Sequence, residues 1–183
     1  MLSLLTLAIV PSRLQGQEGV FLKEEEAPRA VFPDADSFER RVIPADKSLQ
    51  EKIKARMGST RTSMWEGSYV TFVAKREKSI LGYAVIVEEI GKHRPITFVV
   101  GVDRDVKVRD VAIMVYREPY GGEVKEGRFL RQYQGKDIKA SLLLYRDIRN
   151  ISGATLSVEA IGRGVKKAQA LVQAIDLHAG GQP

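Results

Sequence analysis

The chain contains no cysteine and only two histidines, His93 and His178. The missing thiol excludes disulfide scaffolds, zinc ribbons, iron-sulfur clusters, attached c-type haem, thiol catalysis and a lipid-modified N-terminal Cys. Two histidines far apart in sequence leave a His-rich metal site or a Ser/His/Asp triad without a well-placed candidate, so classical hydrolysis is not expected. Long blocks of one charge are also absent. Lys and Arg number 29 against 23 Asp and Glu, a net charge of +6, but the basic residues come in short groups such as Arg40-Arg41, Lys75-Arg76 and Lys166-Lys167, usually beside carboxylates. That distribution argues against a dedicated nucleic-acid surface. No apolar run approaches the roughly 20 residues of a bilayer-spanning helix. What remains, 183 residues of which 44% are apolar, suits one domain built on one core.

Residues 1–12, MLSLLTLAIVPS, carry no charge, and an apolar run of this length fits the central region of a secretory signal. With Arg13 and Gly16 following, a leader is expected over residues 1–16 and the mature protein outside the cytoplasm. No Lys or Arg precedes the run, and Leu14 is bulky for a processing site; the alternative is an ordinary buried N-terminal strand or helix.

Residues 17–66 read as a helical, surface-rich region. Phe21, Leu22, Ala27, Ala30 and Val31 form a loose helical stripe that stops at Pro33-Asp34, and Leu49, Ile53 and Met57 form a second that closes at Gly58. The acidic run Glu24 to Glu26 is a solvated first turn. From Gly67 the texture changes to β-branched and aromatic runs: 69–74, 80–90, 96–102 and 106–116. Their connections are too short for crossover helices, so neighbours pair antiparallel in a meander. A slip in apolar phase at Arg109-Asp110 predicts a β-bulge. A polar loop, REPYGGEVKEG, leads to a short helix around 128–133, and Ser141 to Tyr145 is a candidate last strand. Val158, Ile161, Val165, Ala168, Val172 and Ile175 then mark a long helix with one buried face, placing Arg163, Lys166 and Lys167 on the other. The expected class is α+β: an antiparallel sheet meander with N-terminal helices and a long C-terminal helix.

Ser152-Gly153-Ala154-Thr155-Leu156-Ser157 stands immediately before that helix. Small residues allow close approach of a ligand, and the unpaired N–H groups of a first helical turn favour phosphate. A plain N-cap explains the Ser and Thr equally. The loop Glu118-Pro119-Tyr120-Gly121-Gly122 likewise reads either as a surface turn or as a wall of a binding site. Tyr120 or Tyr116, and more weakly Tyr83, are candidates to cover a ligand ring, and Trp65 is expected in the core. Gly162-Arg163-Gly164 lacks the third glycine and the preceding strand of a dinucleotide fingerprint, and Gly135-Lys136 lacks the earlier glycine of a P-loop.

The segment ISGATLS resembles the flavinylation motif of the FMN-binding domain family, which includes the flavin-carrying subunits of the Rnf complex and of sodium-translocating NADH:quinone reductase. GYAVIVEEIGKHRPITFVVGVDRDVKV is similar to that family's central strands, YREPYGGEV to its Glu-Pro/Thr-Gly loop and FLRQYQGK to the short helix that follows, so the likeness covers roughly residues 67–176. The small exported single-domain members are the most similar. The resemblance implies an FMN-binding domain over 67–178, with FMN joined to Thr155 through a phosphoester made by a separate flavin transferase. It further implies that Ser152, Gly153, Ala154 and Ser157 line one wall of the site and Glu118, Pro119, Tyr120, Gly121 and Gly122 the other. Many members carry Asp six residues before the modified Thr; Arg149 stands there in this chain, with Asp147 two residues further upstream. The expected function is an extracytoplasmic electron carrier relaying electrons between membrane or periplasmic redox proteins. A small flavin-dependent reductase and a non-redox basic binding module are the alternatives.

Overall fold

The computed structural model describes residues 19–175; the expected leader and His178 lie outside them. Six strands form one antiparallel sheet: β1 (Gly19–Val20), β2 (Ser37–Pro44), β3 (Ser68–Arg76), β4 (Ser79–Ile90), β5 (Pro95–Asp103) and β6 (Val108–Tyr116). Their order, β1-β6-β5-β4-β3-β2, is the expected meander with an extra strand at each edge. The helices are α1 (Ala27–Val31), α2 (Lys47–Met57), α3 (Gly127–Leu130) and α4 (Thr155–Ala174), with 3-10 turns on either side of α3. The α+β class is thus as read from the sequence. Among the described residues no helix is long and apolar enough to cross a membrane.

Strand alternation divides the apolar residues between two layers. Tyr83, Val85 and Val87 of β4 and Phe98 and Val100 of β5 face α2 and α4. Ala84 and Val99 face the opposite layer, where Val31 and Phe32 cover the sheet. The stripe on α4 is buried as its spacing predicts, with Ile175 half-buried at the end.

Two bulges in β6 decide what reaches the site. Gly101 pairs with Asp110 and Val102 with Val108, which leaves Arg109 as the extra residue at the predicted slip. A second interruption, unforeseen, leaves Met114 extra between Ile113 and Val115. Because a one-residue slip reverses the side-chain alternation, Ile113 and Tyr116 point into the same layer although three residues apart. The second bulge therefore turns Tyr116 toward α4.

Several expectations are corrected. The region 17–66 is not simply helical: the stripe through Phe21 to Val31 forms a helix only over five residues, and Ser37–Pro44 is an edge strand. That strand, SFERRVIP, is laden with charge because one of its long edges meets solvent. Ser141 to Tyr145 forms no strand, only an isolated bridge between Leu144 and Ile148. Trp65 is exposed rather than core. Lys166 and Lys167 do not lie on a solvated face; they are 6% and 0% exposed.

Lys167 belongs to a buried ionic cluster that joins α4 to the sheet. Its Nζ lies 2.9 Å from Glu66 and 3.0 Å from Glu89, and Glu89 also accepts from Ser63, from Thr62 and from Arg163 at 3.3 Å. Burial would raise the Glu89 pKa, but the Lys167 charge and the Ser63 and Thr62 donors outweigh it and hold the carboxyl below its ordinary range. Gly162 lies where loop and helix meet: a Cβ there would stand 2.7 Å from the Leu142 carbonyl oxygen. Packing therefore accounts for the glycine in Gly162-Arg163-Gly164.

Candidate functional site

The polar loop after β6 and the segment before α4 come together as the two walls of one cleft of about 630 Å3. Glu118, Pro119, Tyr120, Gly121 and Glu123 line one side, and residues 152–157 the other. Of the residues expected in the two walls, Gly122 alone stands outside the lining, opening the 3-10 turn Gly122–Lys125, and the ring-covering candidates Tyr116 and Tyr83 are also outside it. The volume falls within the roughly 300–1,000 Å3 of small-molecule clefts.

The two walls touch at a glycine. Gly121 has φ +76°, and a Cβ added to it would stand 2.6 Å from the Ala154 Cβ. The close approach that requires this glycine is to Ala154. Gly153 differs, with φ +79° and open space around it, so it is a glycine for its left-handed backbone.

Tyr116 fastens the walls from beneath. Its buried hydroxyl donates to the Tyr120 carbonyl at 2.6 Å and lies 3.1 Å from the Ser157 hydroxyl. Burial pushes its pKa up against the opposing pull of Ser157, so it remains a donor at neutral pH. Tyr116 is thus a brace rather than a cover for a ring. Tyr83 lies fully in the core, whereas Tyr120, 77% exposed, has its ring at the cleft rim.

Glu118 is anchored by the β4–β5 turn. Its Oε1 accepts from the backbone N–H of His93 at 2.6 Å and of Arg94 at 3.0 Å. Partial burial would raise its pKa, but these donors and that of Lys92 hold it below the usual carboxylate range. Its Oε2 is buried and has no hydrogen-bond partner among the described residues. Lys92 and His93 also line the cleft; in sequence His93 stands out only as a metal or triad candidate, and Lys92 not at all. The meander itself held the signal, since pairing β5 with both β4 and β6 brings the 91–94 turn beside the chain leaving β6.

Thr155 is the first residue of α4, whose N-terminus has no side-chain cap. A first turn leaves backbone N–H groups unpaired at the positive end of the helix dipole. The N-cap role weighed for Thr155 is therefore not the one it plays; Ala154 occupies that position. The Thr155 Oγ1 instead accepts from Asn150 Nδ2 at 2.9 Å, and that amide is also 3.1 Å from the Tyr145 hydroxyl. Asn150 went unnoticed in the sequence. Arg149 is exposed, and Asp147 is turned away to accept from Ser141 and from the Leu142 N–H.

This cleft combines a helix N-terminus, a bound hydroxyl, a rim aromatic and an orphaned carboxylate oxygen. Residues 91–170 match the family model for the FMN-binding domain. This segment belongs to that family. The matched range runs from the β4–β5 turn nearly to the end of α4, and so includes both walls of the cleft. The protein is accordingly a flavin-binding one, with FMN as its cofactor. No curated protein matches the chain.

The residues present fit FMN. The uncapped α4 terminus with Lys92 suits a phosphate, Glu118 Oε2 is an acceptor suited to a flavin ring N–H, and Tyr120 offers a face for stacking.

Proposed function

We propose that the protein is an extracytoplasmic electron carrier in which FMN is joined by a phosphoester to the Thr155 hydroxyl, attached by a separate flavin transferase. The observation that carries this reading is the position of Thr155: an exposed, hydroxyl-bearing residue at the start of α4, inside the cleft that the FMN-binding domain match encompasses. Bound FMN supplies the redox chemistry, taking up and releasing electrons. This chain's residues do the rest. The α4 N-terminus and Lys92 balance the phosphate charge, Asn150 holds the Thr155 oxygen in place, and Glu118 and Tyr120 orient the ring system. Gly121 and Tyr116 keep the two walls at a fixed separation. A covalent bond suits a protein working outside the cytoplasm, where no FMN pool refills an empty site. Membrane or periplasmic redox proteins are the proposed electron donor and acceptor, because the chain shows no second cofactor motif.

Intact mass and peptide mapping of the protein coexpressed with a flavin transferase test the assignment. The peptide containing Thr155 gains about 438 Da, the mass of FMN less water, and Thr155→Ala abolishes that gain. Colourless protein after acid precipitation, or covalent flavin surviving in Thr155→Ala, refutes it. The mass of the exported protein also reports whether the leader is removed.

A further inference from the structure

A second groove, of about 560 Å3, lies between the end of α2 with its following loop, residues 138–146, and the α4 face that carries Glu159 and Gly162. Among the described residues, six cationic side chains line it, Arg56, Arg61, Lys139, Arg146, Arg163 and Lys166, against the single carboxylate of Glu159. Arg163 is matched by Glu89. Among the described residues, none of Arg56, Arg61, Lys139 and Arg146 has a carboxylate within ion-pair distance, and all four are exposed.

Lys166 makes the imbalance more telling. It is 6% exposed, and its ammonium donates to the backbone carbonyls of Ile138 and Ala140, the latter at 2.6 Å. Two of its three N–H donors are thereby used; among the described residues no carboxylate lies within ion-pair distance of it, and Asp137 and Asp147 act on its charge only from further away. A buried cation beside four unpaired ones produces a positive field focused into a concave, partly apolar cleft. The groove is also preformed: Lys166 ties down the 138–140 backbone, Asp147 accepts from the Leu142 N–H at 2.8 Å, and the Leu142 carbonyl packs on Gly162.

We propose that this groove docks an acidic segment of a partner protein, with carboxylates meeting Arg56, Arg61 and Arg146 and an apolar side chain seated against Met57 and Leu143. Leu143 is half exposed on the wall, and Met57 is buried beneath. A planar anionic membrane cannot reach the floor of a concavity. A single-stranded nucleic acid needs aromatic faces for its bases, and among the described residues no aromatic side chain lines the groove. Cations spread along two apolar walls exceed what one small anion contacts. Glu159 stands four residues on from Thr155 along α4, about 6 Å along the axis, so a partner docked here lies beside the flavin cleft. The inference rests on charge and shape alone and holds whether or not Thr155 is modified.

Fluorescence anisotropy with the full chain and a fluorescein-labelled peptide of Glu and Leu residues tests it, at low salt and at about 0.5 M salt, where screening is nearly complete beyond a few ångströms. The peptide binds at low salt and is released at high salt. The triple variant R56Q/R61Q/R146Q weakens binding by about tenfold or more. The control K78Q/R104Q/K107Q, which removes equal charge from the β3–β4 and β5–β6 turns, changes it by less than about twofold. All three groove arginines are exposed, and Arg146→Glu alone acts in the same direction should the triple variant melt early. Absent binding, or equal loss in both triple variants, overturns the proposal. So does equally tight, variant-sensitive binding of inorganic pyrophosphate, of a single-stranded oligonucleotide or of phosphatidylserine vesicles, each of which would assign the groove to a different ligand.

Discussion

Gly121 and Ala154 meet so closely that a methyl group on the glycine would stand 2.6 Å from the Ala154 Cβ. The contact joins the two loops that wall the flavin cleft, and it yields a graded prediction. Gly121→Ala adds both left-handed backbone strain and a clash, costing about 2–4 kcal/mol together. Gly153→Ala adds the strain alone, about 1–2 kcal/mol. Thermal melts of the two variants check the ranking, and flavin content falls further in Gly121→Ala because the walls must part. Equal melting temperatures would show that the inter-wall contact is not tight.

Asn150 donates to the Thr155 hydroxyl from outside the helix. Asn150→Ala removes this positioning bond while leaving the fold nearly unchanged, within about 0.5–1.5 kcal/mol for a neutral hydrogen bond. The rate of covalent flavin attachment by the transferase drops, whereas the final extent at long times stays that of the wild type. A time course of in-gel flavin fluorescence separates the two quantities. An unchanged rate would remove Asn150 from the attachment site.

Much of this arrangement was legible in the sequence because it rests on short-range signals. The β-branched runs with tight turns fix the meander, the phase slip marks the bulge at Arg109, and the alternating three- and four-residue steps from Val158 to Val172 mark α4. The sequence failed where long-range pairing decides. The strand β2 reads as charged surface because only β3 gives it a partner. The second bulge, at Met114, leaves no apolar gap to detect, yet it turns Tyr116 toward Ser157. Lys166 and Lys167 sit in a helix whose opposite side also meets protein: the loop before β3 and residues 138–140 supply the acceptors for their charges. Only the folded chain brings those acceptors near. The motif residues were identifiable, but that Glu118 is anchored by the 92–94 backbone required the hairpin in place.

Lys167 illustrates the energetic consequence. A lysine on a solvated helix face is replaced at a cost within about 0.5 kcal/mol, but Lys167 is fully buried between Glu66 and Glu89. Lys167→Met leaves two carboxylates without their shared cation and costs about 3–5 kcal/mol. Urea unfolding measures the difference. A loss below about 1 kcal/mol would place the cluster in the class of weak surface pairs.

Glu89 makes the same cluster sensitive to acid. Its carboxyl is buried, yet Lys167 and the Ser63 and Thr62 donors keep its folded pKa below the unfolded value of about 4.3. The unfolded chain therefore binds the proton more readily, and stability rises with pH through that window. The Glu89 contribution is fully present above the unfolded pKa and is lost as pH falls through the folded one. Other carboxyls that are held low, Asp34, Glu39, Glu118 and Asp147, add slopes of the same sign, so the comparison must be made against Glu89→Gln. At neutral pH that variant melts well below the wild type, since Lys167 and Arg163 lose a charged partner. As the pH is lowered below about 4.3 the wild-type melting temperature falls more steeply, and the two curves converge. Parallel curves from pH 7 to pH 3 would show that Glu89 is not held in its charged form by the fold.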